Sequence, residues 1–133
     1  MFDIEHIRIY KILAMNITPL AEAYLRFLKL TSPPGTLLGD EEFDANLKAL
    51  FEATVMHWSL GKPLSVLETI SQTKLGSPAT LHKRLQRLIA QDFVKSEVWG
   101  SDKLTKFVSP TNKGLVYIDL VGGKMFKSLA PPN

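Results

Sequence analysis

The chain contains no cysteine, which excludes disulfide bridges, thiolate zinc sites and thiol redox switches. It has only three histidines, His6, His57 and His82, and they lie far apart in the sequence. None of the HExxH, P-loop or GxGxxG patterns occurs. No nucleophile and base stand in a recognisable catalytic pattern either. The sequence therefore predicts a protein that is not an enzyme and that needs no cofactor and no metal.

Long apolar runs are also missing. No stretch approaches the roughly 18–20 consecutive apolar residues that cross a bilayer. Residues 1–13 carry Asp3, Glu5, Arg8 and Lys11 within an apolar pattern, whereas a secretory signal has an uncharged apolar centre. We therefore expect a cytoplasmic protein with no membrane partner.

The composition suits one globular domain with its own core. Of 133 residues, 45% are hydrophobic and 22% are charged. The net charge of +3 is unevenly spread, because residues 1–61 hold five basic and eight acidic side chains, whereas residues 62–133 hold eleven basic and five acidic ones. A basic C-terminal half is typical of a surface that binds phosphates.

Helix-start signals divide the chain into elements. A hydroxyl side chain followed by proline favours a helix start, and this pair occurs at Thr18-Pro19 and at Ser77-Pro78. Residues 2–13 fit both strand and helix spacing, and we expect a helix there. The further predicted elements are a helix from Pro19 to about Thr31, one capped by Asp40 and ending before Gly61, one capped by Ser65 over 66–72, one over 78–91, strands over 93–99 and 104–109, and a last helix over 112–129, interrupted or softened at Gly122-Gly123.

Residues 62–114 thus combine two short helices, a tight turn and a hairpin, the parts of a winged helix-turn-helix. The second of these helices has two different sides. At about 100° per residue its apolar side chains share one side, and they are Leu81, Leu85, Leu88 and Ile89. The other side is small, polar and basic, and residues 77–91 contain no acidic side chain. An exposed helix commonly mixes Glu with Lys and Arg, so this pattern favours nucleic-acid binding over an ordinary solvated surface.

The candidate DNA contacts lie on this helix and on the hairpin. Small residues permit close approach to base edges, amide and hydroxyl groups can hydrogen-bond bases, and basic groups can meet phosphates or guanine. The candidates are Ser77, Ala79, Thr80, Lys83, Arg84, Gln86 and Arg87 on the helix, with Lys103 and Lys106 on the hairpin, whose tip is predicted to reach an adjacent minor groove or its phosphates.

Two stretches resemble the MarR family of bacterial winged-helix regulators. Residues 102–114, DKLTKFVSPTNKG, resemble that family's wing and the helix start after it. Residues 77–81 with Arg87-Leu88 resemble its recognition helix, and the resemblance covers about 65–114.

The resemblance implies a homodimer that recognises a near-palindromic DNA operator and regulates transcription, often with release by a small-molecule effector. It implies that Thr80 and Lys83 read or flank bases and that Lys103 lies at the wing. Three departures stand out, since Leu104 replaces the usual second wing arginine, Asp92 stands where glycine commonly ends the helix, and only 19 residues follow Gly114.

The expected fold class is mainly α, with α+β character. It is a winged helix-turn-helix with a small β-hairpin wing and additional N-terminal and C-terminal helices for dimerisation. The expected units are residues 1–39 as an N-terminal helical segment for dimerisation, 40–114 as the DNA-binding domain, and 115–133 as a C-terminal helix for dimerisation.

Two other functions remain open. The same scaffold can hold a protein partner without binding DNA, and Trp99 and Leu104 on the hairpin favour that alternative. A DNA-binding factor of replication or of a phage is the third hypothesis, which the residues do not separate from the first.

Overall fold

The computed structural model describes residues 18–100 and 103–130. Within these ranges the chain is mixed α+β, with five α-helices, one 3₁₀ helix and a two-stranded antiparallel hairpin. The elements are α1 (Pro19–Thr31), η1 (Pro34–Leu37), α2 (Ala45–Ser59), α3 (Val66–Ile70), α4 (Pro78–Ala90), β1 (Val94–Val98), β2 (Lys106–Pro110) and α5 (Asn112–Leu129). The helix expected over 2–13 lies outside the described residues. None of the described helices is long and apolar enough to cross a membrane.

Most helix starts follow the predicted capping side chains. Thr18, Ser65 and Ser77 each accept a hydrogen bond from the backbone N–H three residues later, which satisfies a donor that has no partner within the helix. At α3 the cap is reciprocal, because the Glu68 carboxylate also accepts from the Ser65 N–H at 3.0 Å. The local sequence therefore fixes where these helices begin.

The predicted cap of α2 is wrong. Asp44, not Asp40, caps this helix, and its Oδ1 accepts from the Leu47 N–H at 2.9 Å. The Asp40 backbone N–H instead donates to the Gly35 carbonyl at 2.8 Å, so Asp40 belongs to the preceding loop. Its carboxylate lies 3.0 Å from the Lys113 Nζ, a partner that is distant in sequence. The helix consequently starts four residues later than the acidic cluster suggests.

The predicted interruption of the last helix is also wrong. Helix α5 continues through Gly122-Gly123 to Leu129. Each glycine within a helix costs about 1 kcal/mol relative to alanine, so other contacts must hold the end of α5. One of them is the Arg26 guanidinium of α1, whose Nε donates to the Ser128 carbonyl at 2.8 Å.

The hairpin strands agree with prediction to within one or two residues. Their register pairs Val94 with Pro110 and Val98 with Lys106. The Val108 N–H donates to the Leu64 carbonyl at 2.8 Å, just before α3. The base of the hairpin is thereby joined to the first of the two short helices.

The core lies where α2, α4, the hairpin base and the first half of α5 meet. At its centre four aromatic rings, Phe43, Phe51, Phe93 and Tyr117, contact one another, with Phe43 stacked on Phe93 at 4.1 Å between ring centroids. Helix α5 reaches this cluster at Gly114, where a Cβ atom would overlap the Phe93 carbonyl. A glycine is therefore required at this close contact.

Helix α1 stands outside that core. It packs against the end of α5, and Ala23 and Thr31 are its buried residues. A concave apolar surface remains open to solvent where α1 meets the end of α5. We call it the α1–α5 face, and its exposed side chains are Leu20, Tyr24, Met125, Phe126 and Leu129.

Candidate nucleic-acid interface

Helix α4 is fixed by its apolar side and presents its polar side to solvent. Leu81, Leu85 and Leu88 are 0% exposed. On the opposite side, Lys83 and Gln86 are exposed. The apolar side of this helix therefore faces the core as predicted, and Lys83 and Gln86 on its polar side face solvent.

Three candidate residues cluster at the start of α4. Ser77 and Ala79 are exposed and Thr80 is half-buried. The Ser77 hydroxyl accepts from the Thr80 N–H at 3.3 Å and donates to the Thr80 hydroxyl oxygen at 2.9 Å. Because the two hydroxyls are paired, their positions are defined before any partner arrives. Pro78 has no N–H and the Thr80 N–H is bonded to Ser77, so the Ala79 N–H, with the positive end of the helix dipole, is the first-turn group that favours an anion here.

Arg84 lies at the edge of this surface. Its Nη1 donates to the Leu75 carbonyl at 3.0 Å, in the turn that precedes α4. The side chain is half-buried. This contact fixes the angle between the turn and the helix, so Arg84 positions α4 whatever else it binds.

Arg87 bridges α4 to the start of α2. Its Nη2 donates to the Glu42 carbonyl at 3.2 Å, and its Nη1 lies 3.9 Å from the Asp44 carboxylate. Both side chains are about half exposed, and an ion pair in that setting contributes little stability. A phosphate could therefore replace the carboxylate at small cost, but the positive charge of Arg87 is partly neutralised without one.

The two remaining candidates, Lys103 and Lys106, form a separate group on the hairpin. Both are exposed. Leu104 beside them is 95% exposed. The Trp99 indole N–H donates to the Glu97 carboxylate at 3.1 Å, and its ring lies 5.9 Å from the Phe107 ring. The hairpin tip thus presents both basic and apolar side chains.

The backbone at the end of α4 shows how Asp92 takes the place of the glycine that commonly ends this helix. Asp92 adopts a left-handed backbone with φ 64°. Its N–H donates to the Ile89 carbonyl at 3.0 Å, and the next N–H, of Phe93, donates to the Leu88 carbonyl at 2.9 Å. This is the C-terminal motif that glycine usually completes. Asp92 performs the same reversal and directs Phe93 into the core, at a cost in strain that glycine would not have.

Lys113 fastens the start of α5 to the end of α4. Its ammonium donates to the Gln91 carbonyl at 2.7 Å and to the Asp40 carboxylate at 3.0 Å. It also lies 4.5 Å from the centre of the Phe93 ring. These partners are far from Lys113 in sequence, so local patterns gave no sign of this contact.

One further basic residue was missed by the sequence reasoning. Lys74 is exposed in the turn between α3 and α4, three residues before the Ser77 cap. Its signal was a lysine next to a predicted helix start, where a phosphate contact is common. We add it to the candidate surface.

The described residues contain no metal-type cluster. In residues 18–100 and 103–130, no three His, Cys, Asp or Glu side chains are grouped to hold a metal ion. The His57 Nδ1 lies 2.9 Å from the Ala53 carbonyl, one turn back on its own helix, and His82 is exposed. Neither of these two histidines belongs to a metal-binding group among the described residues.

No family model, curated protein or solved structure matches this chain. A functional assignment therefore depends on the residues and their geometry.

Proposed function

We propose that this chain binds double-stranded DNA as a dimeric winged helix-turn-helix regulator of the MarR type. In this proposal α4 enters the major groove, and the β1–β2 hairpin meets the adjacent minor groove or its phosphates. The observation that carries it is the exposed side of α4, which is polar and basic along a helix that has no acidic residue.

The order of elements supports a winged helix. Helices α2, α3 and α4 are followed directly by the hairpin and then by α5. Helices α3 and α4 pack together, as the pair does in a helix-turn-helix. Arg84 and the Ser77 cap define the turn between them.

The chemistry of the exposed side suits DNA. Ala79 would let the helix approach base edges, and Gln86 can hydrogen-bond adenine through two atoms. Lys83 can meet guanine or a phosphate. The Ser77 hydroxyl, released from Thr80, and the Ala79 N–H would bind a phosphate and set the register of the helix on the duplex.

The dimer would form through the α1–α5 face. Leu20 is 80% exposed and Phe126 is 81% exposed, on a surface that is concave and apolar. Grouped apolar side chains of this kind mark interaction sites in soluble proteins. A second copy with the same surface can cover both patches by two-fold symmetry, which suits a near-palindromic operator.

A protein-interaction module is the second candidate. Leu67 of α3 is 70% exposed and lies with Leu104 on a cleft between α3 and the hairpin. Apolar side chains in such a cleft suit a protein partner. This surface differs from the exposed side of α4, so the two functions can be tested apart.

The test is a fluorescence-anisotropy titration with labelled random-sequence duplex DNA at about 50 and about 200 mM salt. We expect binding that weakens steeply with salt, because bound lysines release counterions. Lys83→Glu should reduce the affinity at least tenfold and lower the salt slope by about one. Lys29→Glu, the same charge change on an exposed position of α1, should leave both unchanged.

Arg87 is left out of the variant because it also contacts Glu42 and Asp44 before α2, so its replacement would alter those contacts as well as the charge on α4. Wild-type protein that fails to bind at low salt would overturn the proposal. Equal losses from Lys83→Glu and Lys29→Glu would show that α4 does not carry the binding.

A further inference from the structure

The two exposed basic residues in the middle of α4 have different surroundings. Within residues 18–100 and 103–130, Lys83 forms no ion pair. Arg87, one turn further along, lies beside the segment that leads into α2, and its Nη1 is 3.9 Å from the Asp44 carboxylate. An anion that approaches this side of α4 therefore meets an available cation at Lys83 and an engaged one at Arg87.

The two contacts of Arg87 are of different kinds. The Nη2 donates a hydrogen bond to the Glu42 carbonyl at 3.2 Å, and this bond holds the guanidinium in place. The distance of 3.9 Å between Nη1 and the Asp44 carboxylate is too long for a hydrogen bond, so that contact is an attraction of charges alone. Because a guanidinium has five N–H donors, a phosphate oxygen could form a short bond with it while the carbonyl bond persists.

Asp44 does not depend on Arg87 for its place in the fold. Its Oδ1 accepts from the Leu47 N–H at 2.9 Å and caps α2, and its Oδ2 is the oxygen near Arg87. The cap would remain if Arg87 turned to another anion, so the exchange needs no movement of either helix. Both side chains are about half exposed, and a phosphate can therefore reach the pair from solvent.

The carboxylate has an advantage over a loosely held phosphate. The α2 cap fixes Asp44 beside Arg87 within the same molecule, so it competes at a high effective concentration. Only a phosphate that other contacts of α4 hold at the same position would displace it. Exposed Glu41 and Glu42 add negative charge to the same segment and oppose the approach of a duplex that is not held there.

We propose that Asp44 is an internal competitor of DNA phosphate for Arg87 and that it lowers the affinity for random-sequence DNA. This inference rests on the proposed function, because the competing ligand is the backbone of a bound duplex. On random sequence the carboxylate keeps Arg87, which then forms no phosphate contact and releases no counterion from the DNA. Asp44 thus restrains non-specific binding without touching the DNA.

The test is the same anisotropy titration with labelled random-sequence duplex at about 50 and about 200 mM salt. Asp44→Asn keeps a side-chain oxygen that can cap α2 and removes the charge. It should tighten binding about threefold at the lower salt and steepen the salt slope by about one, because Arg87 gains one phosphate contact.

Glu41→Gln is the matched control. It removes the same charge from an exposed position three residues away, at a side chain with no described contact to Arg87. It should change the affinity less than about 1.5-fold and leave the salt slope as it is, because salt screens a charge that makes no direct contact.

A double-mutant cycle shows whether the gain passes through Arg87. On an Arg87→Gln background, Asp44→Asn should tighten binding no more than Glu41→Gln does, with no change in salt slope. Thermal unfolding followed by circular dichroism checks that every variant is folded. The cycle compares changes on one background, so the loss of the Glu42 contact in Arg87→Gln cancels.

Equal gains from Asp44→Asn and Glu41→Gln would reduce the effect to general charge and overturn the proposal. The same gain from Asp44→Asn with and without Arg87 would overturn it as well. Wild-type protein that binds DNA with an affinity and a slope that Asp44→Asn leaves unchanged would overturn this inference alone. Wild-type protein that fails to bind at low salt would overturn it together with the proposed function.

Discussion

Helices α1 and α4 have the same kind of start signal but differ strongly in how far their apolar side chains are buried. Each has 13 residues and starts with a hydroxyl cap followed by proline, at Thr18 and Ser77. Yet α4 buries three leucines completely, whereas Leu20 and Tyr24 of α1 remain 80% and 60% exposed. The same start signal and an apolar stripe thus predict a helix without predicting what covers it.

The difference shows which of the described helices leaves large apolar side chains exposed. The apolar side of α4 is buried within the chain. Its exposed side is therefore not needed for the core, and that side is polar and basic. Within residues 18–100 and 103–130, α1 packs against the end of α5 and against η1. The α1–α5 face is the kind of surface that a protein partner buries.

The largest effect should come from shortening one apolar side chain on each of the two helices. Leu85→Ala should lower the free energy of unfolding by about 3 kcal/mol, because it leaves a cavity in a full core. Leu20→Ala should change it by less than about 0.5 kcal/mol in the monomer, because the side chain is exposed. Urea denaturation at low protein concentration measures both. Similar losses for the two variants would mean that α1 is as firmly packed as α4.

The next effect concerns the α1–α5 face. Phe126→Ala should weaken self-association about 30-fold, the consequence of losing a central interface residue worth about 2 kcal/mol. Lys127→Ala, an exposed neighbour that does not line the face, is the matched truncation and should have little effect. Sedimentation velocity over a range of concentrations gives both dissociation constants. A wild-type chain that stays monomeric would contradict this prediction.

A smaller effect is expected at the end of α4. Asp92→Gly should raise the free energy of unfolding by about 1 kcal/mol, because glycine adopts the left-handed backbone without strain. Gly61 ends α2 with φ 75°, and Gly61→Ala should lower stability by a similar amount. Thermal unfolding of the two variants checks the opposite signs. Destabilisation by Asp92→Gly would show that the carboxylate itself supports the hairpin.

The last effect appears at high pH and involves the buried half of α5. Burial, together with the nearby Glu52 carboxylate, raises the pKa of Tyr117 to about 12 in the folded chain, against about 10 in the unfolded chain. The folded state therefore holds this proton more tightly, and its contribution to stability, full below pH 10, is lost as the pH rises towards 12. Tyr117→Phe should lack this loss and, without an unpaired hydroxyl, be at least as stable at neutral pH.

The measurement is the difference in unfolding free energy between wild type and Tyr117→Phe as a function of pH. The difference cancels the lysines that titrate in the same range. A difference that stays constant from pH 8 to 12 would contradict the raised pKa.

Local signals accounted for most of the elements. The caps at Thr18, Ser65 and Ser77 act within three residues, and the leucines of α4 repeat at helical spacing, so both are visible in the sequence. The same spacing places Ala79, Lys83 and Gln86 on one exposed side of α4.

Contacts between distant residues could not be predicted in this way. The bond from Lys113 to Asp40 spans 73 positions and engages the carboxylate that the sequence assigned to the cap of α2, whereas Asp44 is the cap. The contact of Arg87 with Glu42 spans 45 positions and reduced the free charge on α4. The continuity of α5 through two glycines likewise depends on α1, through Arg26. In each case a backbone or side-chain partner from another element decides the outcome.

Lys113 fastens one end of α5, so a tilt of this helix displaces its other end. Its ammonium ties the start of α5 to the Gln91 carbonyl just after α4, while the other end of α5 carries Phe126 and the α1–α5 face. With 18 residues, α5 is about 27 Å long, so a tilt of about 5° imposed at one end displaces the other by about 2 Å. In the proposed dimer, a small repacking between the two chains would therefore change the spacing of the two α4 helices by a fraction of one base-pair step.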